Sequence, residues 1–165
     1  MTIKTVIKDL QWTRDKFEWE QKFQFVLNSW RDTPYILGQS CKKVGVDCIH
    51  FFHSVLDEMT GYERQFLRLP PDACFHKRDT SIAALKTILE AYKPYTKIED
   101  GIVQPGDVFV TGTSQGGPGH GMIAGVKRNE IWHATNGGVQ TTGIGFGDSG
   151  SFIFYAQYRP DKSQW

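Results

Sequence analysis

The chain is short of most features that would place it in a ready class. It has no long apolar run: the opening stretch, MTIKTVIKDLQW, lacks the apolar core of a signal peptide, and no window could span a bilayer. It has no excess charge either. Nineteen Lys and Arg stand against eighteen Asp and Glu, a formal net charge of +1 spread along 165 residues. That balance gives no support to binding nucleic acid or a membrane surface. Cysteine is scarce, and three is an odd number that makes no secreted disulfide framework. No internal repeat, low-complexity tract or linker interrupts the chain. The expectation is a soluble protein made without a signal peptide in a reducing compartment; an extracellular substrate would require some other means of delivery.

Motif spacings are missing as well. Cys41, Cys48, His50 and His53, even with Cys74 and His76, form no CxxC or HExxH pattern, so no metal is expected. The glycine-rich loop from Gly112 to Gly119 lacks the Gly-Lys-Ser/Thr ending of a phosphate-binding loop, and no cofactor is expected.

What is present is a folded chain with 39% apolar and 13% aromatic residues, long enough for one domain, 1–165, with a core of its own. Residues 1–12 read as a short arm or edge strand. A helix is predicted from Asp15 to about Trp30, opened by a capping-box pattern at Asp15 and Glu18, with Phe23, Val26, Leu27 and Trp30 inward. Residues 62–79, with Pro70 and Pro71, read as an ordered loop, and a third helix runs from about Thr80 to near Pro94. From Lys97 onward the texture is short strands between turn residues, at about 107–111, 121–126, 130–135, 138–142 and 152–159. Helices first and an antiparallel sheet second make an α+β arrangement.

The stretch Gly45-Val46-Asp47-Cys48 opens a second amphipathic helix, reaching about Met59. At roughly 100° per residue, Cys48, Phe51, Phe52, Val55, Leu56 and Met59 share a face, with Ile49 at its edge. His50, His53, Ser54 and Asp57 fall on the opposite, wet face. Asp47 is a good N-cap type and Gly61 a good terminator. A thiol in the first helical turn meets unpaired N–H groups and the positive end of the dipole, which favour thiolate, while Asp47 pushes weakly the other way.

Such a thiol needs a base and a group to orient the base. His120 closes the glycine-rich loop and opens a strand; His133 lies on the next strand. If a tight turn centred on Arg128 and Asn129 joins them, His133 pairs with Ala124 and sits about 13 Å along the strand from His120. A bulge or an earlier turn closes that gap; otherwise Asn136 is the better orienter. Trp19 and Trp30 read as core, and Trp132 as a possible cleft residue.

Five pieces stand in order between about residues 30 and 140: Thr33-Pro34-Tyr35 with Gly38, Gly45-Val46-Asp47-Cys48, Pro105-Gly106-Asp107-Val108, His120-Gly121-Met122-Ile123 and Trp132-His133-Ala134. In them the chain resembles the NlpC-type cysteine peptidases of bacterial cell-wall turnover, especially the shorter, phage-like forms. The resemblance implies a papain-like α+β fold, with N-terminal helices packed on a C-terminal antiparallel sheet. It implies Cys48 as nucleophile, His120 as base and His133 as the orienting residue. Tyr35, Asp47 and Ile49 would stand on the substrate and oxyanion side, and the Cys48 backbone N–H would be a further oxyanion donor. The implied substrate is an amide bond of a peptidoglycan stem peptide, cleaved through a thioester without a metal. The family usually has Ser-Gly after the cysteine, whereas Ile49 and His50 follow here, and Asp32 stands where glycine is common. Two other activities share the scaffold: an acyl or amine transferase, and a non-catalytic tail or cell-wall binding protein.

Overall fold

The computed structural model describes residues 10–60, 89, 95–112, 120–143 and 153–165. Strand β1 (Gln11–Trp12) leads to α1 (Glu20–Trp30), then to the short pair β2 (Ser40–Cys41) and β3 (Gly45–Val46), then to α2 (Cys48–Thr60). After these come β4 (Tyr95–Ile98), β5 (Ile102–Val103), β6 (Val108–Gly112), β7 (His120–Ala124), β8 (Glu130–Thr135), β9 (Gly138–Gly143) and β10 (Ile153–Pro160). The chain is α+β. Of the expected third helix only Leu89 is described; it is helical and buried. The rest of that helix, the loop at 62–79, Gly61, Cys74, His76 and positions 113–119 of the glycine-rich loop lie outside the described residues.

Six strands form one antiparallel sheet in the order β4-β10-β6-β7-β8-β9. Alternation along each strand gives the sheet two faces. Val108, Val110, Ile123, Trp132 and Ala134 point to one, where α2 lies across β7 and β8 and brings Phe51, Phe52 and Val55 into the same core. Phe109, Met122, Ala124 and Ile131 point to the other, where Val103 packs against them and Leu10 and Trp12 lie alongside. Burying each of Phe51 and Phe52, both fully enclosed, stabilises the fold by roughly 1.5–3 kcal/mol. Trp132 is part of this core, fully buried, and lines no cleft.

Helix α1 starts later than its sequence pattern predicts. Asp15 and Glu18 do not cap it. Trp19 occupies the cap position without a side-chain bond, and Glu20 Oε1 accepts the Phe17 N–H at 3.1 Å. The reason is tertiary. Phe17 stacks on Trp19 at 4.9 Å, and Trp19 meets Trp165 edge-on at 4.7 Å, so the segment before Glu20 serves an aromatic cluster rather than a helical turn. The Lys162 ammonium lies 5.1 Å from the Trp19 ring and 5.7 Å from the Trp165 ring. Beneath it, the buried Asp107 accepts from Gln157 Nε2 and from Arg159 Nε and Nη2, each at 2.9 Å, which fastens β10 to the turn before β6.

Candidate active site

The start of α2 is fixed by one carboxylate. Asp47 is buried, and its Oδ1 accepts the N–H groups of Ile49 (3.0 Å) and His50 (2.8 Å), as an N-cap does. Its Oδ2 accepts the Gly38 N–H at 2.8 Å and faces His50 Nδ1 at 2.7 Å. Burial works against ionisation, but these donors, the His50 ring foremost, hold the carboxyl below its ordinary range. Gly38 reaches its position with φ at +77°, a conformation that favours glycine. The same loop bridges Tyr35 to Val46, which sets the phenol beside the helix start.

Cys48 is the first residue of α2, and its sulfur lies against the backbone N–H of Gly121 on β7. This close approach depends on Gly121 having no side chain: a Cβ there would stand 2.4 Å from Phe52 Cε1. The helix terminus does not decide the charge of the thiol. Burial dominates and pushes the thiol up to about 12, Asp47 adds to that, and the N–H groups of Gly121, Cys48 and Ile49 only partly offset it. The sulfur is neutral at rest, because the site is too dry for the helix terminus alone to hold a thiolate. Tyr35 is raised to about 12 as well, by burial first and then by Cys48 and Asp47, so it remains a phenol and a hydrogen-bond donor.

His120 and His133 meet directly, Nε2 to Nδ1 at 3.0 Å. The register explains how. Ala124 pairs with Ile131 and Ile123 with Trp132, two residues earlier than a turn centred on Arg128 and Asn129 would give. The connection spans Val126–Asn129, closed by the Gly125 N–H on the Glu130 carbonyl at 2.8 Å, with Asn129 at φ +60°. His133 therefore stands diagonally across from His120 on the same sheet face. Asn136 is exposed at the β8–β9 turn, so His133 and not Asn136 faces His120. Burial lowers both rings, His120 to about 3 with His133 adding to the effect, and His133 to about 4. Both are neutral imidazoles at pH 7.

The fold thus gathers Tyr35, Asp47, Cys48 and the strand that begins with His120 around the N-terminus of α2, with His133 behind His120. Ile49 is buried and its N–H is committed to Asp47, which makes it part of the cap. Asp47, enclosed by its four donors, is likewise a cap. His53 does not lie on a wet face. It is buried, stacked on Phe52 at 4.4 Å and edge-on to Tyr95 at 6.1 Å, with Nε2 unbonded. Ser54 is half-buried, its hydroxyl 2.6 Å from that of Ser40. Two residues of the site carry only a faint signal in sequence. His50 reads as wet-face on the wheel, although its spacing from Asp47, N-cap to third helical position, is that of a capping box. Gly121 carried a signal in its size alone, as the small residue after His120 where a helix must come close.

No family model matches the chain, and no curated protein matches it.

Proposed function

We propose that the protein is a cysteine peptidase or amidase of the NlpC type, on a papain-like scaffold, hydrolysing an amide bond of a peptidoglycan stem peptide. The observation that carries this reading is the convergence of a cysteine in the first turn of α2, through Gly121, on the strand that opens with His120, whose imidazole is hydrogen-bonded to His133.

With thiol and imidazole both neutral at rest, His120 acts as a general base: it takes the Sγ proton as sulfur attacks the amide carbon. Negative charge gathers on the carbonyl oxygen, where the Tyr35 hydroxyl and the Cys48 N–H are the available donors. His133 stabilises the imidazolium that forms. Collapse of the tetrahedral adduct breaks the C–N bond; the amine leaves with the proton from His120, and a thioester remains on Cys48. Water then adds to the thioester carbon, giving its proton to His120, and the acid departs as the thiol is reprotonated. Desolvation, which disfavours thiolate in the free enzyme, also strengthens each charge–dipole contact once substrate fills the site.

Digestion of defined stem peptides, with products read by mass spectrometry, tests the reading. Wild type is expected to release an acid and an amine, and Cys48→Ala to lose turnover while keeping its circular dichroism spectrum. Transfer of the acyl group to an added amine or alcohol in preference to water would make the protein a transferase. Muropeptide binding without turnover, unchanged in Cys48→Ala, would make it a binding protein.

A further inference from the structure

We propose that Thr33 is a positioning residue: it locks segment 32–36 between strand β9 and the lead-in to α2, and so fixes the Tyr35 phenol relative to the Cys48 sulfur. The inference rests on reading Cys48 as the nucleophile and Tyr35 as the oxyanion donor.

The backbone of segment 32–36 is tied to both halves of the site. On one side the Asp32 N–H donates to the Val139 carbonyl, and the Val139 N–H donates to the Thr33 carbonyl, each at 2.9 Å. β9 is the last strand of its sheet, so these bonds take up its outer edge. Val139 pairs in register with Ala134, the neighbour of His133 on β8. On the other side the Val46 N–H donates to the Pro34 carbonyl at 2.9 Å, and the Ile36 N–H to the Val46 carbonyl at 3.1 Å. Val46 stands two residues before Cys48. Tyr35 lies between the two ties, as the bridge partner of Val46.

Thr33 adds a third tie through its side chain. It is fully buried, although Asp32, Pro34 and Ile36 around it are exposed. Its Oγ1 accepts the Lys43 N–H at 3.1 Å, which fastens the segment to the β2–β3 loop and satisfies a hydroxyl that would be costly to bury unbonded. The approach to β9 is close. A Cβ at Gly138, where φ is +90°, would stand 2.9 Å from the Thr33 carbonyl oxygen, so the turn before β9 needs glycine. The segment has no helical or strand repeat of its own, and its course depends on these bonds. Losing one lets Tyr35 shift, and a donor misplaced by about 1 Å costs up to about a hundredfold in rate.

The test compares two reactions of the same sulfur, neither of which needs a peptide. Acetyl transfer from p-nitrophenyl acetate passes through a tetrahedral oxyanion: the S–C bond forms, the aryl C–O bond breaks and p-nitrophenolate leaves. Alkylation by chloroacetamide displaces chloride and forms no oxyanion. Both are read by mass spectrometry of the Cys48 peptide, which separates it from Cys41 and Cys74. Thr33→Val keeps the shape and removes the acceptor. It is expected to slow acetylation about tenfold to hundredfold and to leave alkylation near the wild-type rate. Thr33→Ser keeps the hydroxyl and is expected to acetylate close to the wild-type rate. In a Tyr35→Phe background, Thr33→Val is expected to add no further loss. Gly138→Ala presses on the Thr33 carbonyl from the β9 side; it is expected to give the same pattern and serves if Thr33→Val does not fold. Acetylation unchanged in Thr33→Val, acetylation and alkylation falling together, no rescue by Thr33→Ser, or an equal loss without the Tyr35 hydroxyl would overturn the proposal. So would a wild type whose Cys48 takes no acetyl group. Stem-peptide turnover, assayed separately on the wild type, decides the peptidase reading: its absence with this pattern intact sinks that reading and not this one.

Discussion

At position 48 the sulfur sits among backbone amides and beside a carboxylate, and its burial decides which influence prevails. Sequence places the cysteine at a helix start, where the dipole favours thiolate by a fraction of a kcal/mol to about 2. Enclosure of the side chain, which no wheel projection contains, outweighs it and leaves a neutral thiol. On the proposed peptidase reading the rate depends on donors poised for the oxyanion rather than on a standing ion pair. Tyr35, kept protonated by the same burial, is the proposed side-chain donor. Tyr35→Phe is expected to lower kcat on a stem peptide about 10²- to 10³-fold with little change in KM, as steady-state kinetics would show. An equal loss confined to KM would assign the hydroxyl to ground-state binding instead.

Among elements, α2 and the five C-terminal strands were legible because each signal is local: an N-cap before an apolar stripe, and turn residues between short β-rich runs. The pairings that escaped notice are two to four residues long and have no period to read. On a helical wheel, which contains none of these pairings, His53 looks exposed. β4 brings Tyr95 against its ring, and β2 brings Ser40 to Ser54, so a face that looks wet on the wheel is covered. The β7–β8 register is open in the sequence, which admits a tight turn at Arg128 and Asn129 or an earlier one; the Gly125–Glu130 closure is the earlier turn. The α2–β7 contact shows how little tolerance remains. Gly121→Ala would drive a methyl into Phe52 and is expected to destabilise the protein by about 1–3 kcal/mol in urea unfolding, and to slow Cys48 alkylation or turnover by moving the sulfur from its amide. Unchanged stability would mean that Phe52 can swing away freely.

For the whole molecule, three imidazoles held neutral make acid the weak side of the stability profile. His53, His120 and His133 are all lowered by burial, the latter two to about 3 and about 4. In the unfolded chain each titrates near 6.5. Between those values the unfolded state binds more protons, so stability is fully present above about pH 6.5 and falls as pH drops, by at most about 1.4 kcal/mol per pH unit for each ring. Urea midpoints between pH 4.5 and 8 are expected to show that slope. His53→Phe removes a ring whose Nε2 is unbonded, so it is expected to flatten the slope by about one proton and to gain up to about 1 kcal/mol at neutral pH. A slope that His53→Phe leaves intact would contradict the burial account. At this scale the α+β class follows from helices preceding strands, whereas the Asp107–Arg159 tie and the aromatic cluster at Trp165 join residues too distant in sequence for any local pattern to reveal.

The most direct measurement is mass spectrometry of the Cys48-containing peptide, acid-quenched within the first turnovers on a defined stem peptide. A peptidyl mass on Cys48 that rises in the wild type, falls as product accumulates, and fails to form in His120→Ala is the predicted result. Products appearing with no adduct at any time, or at the wild-type rate in Cys48→Ala, would contradict it.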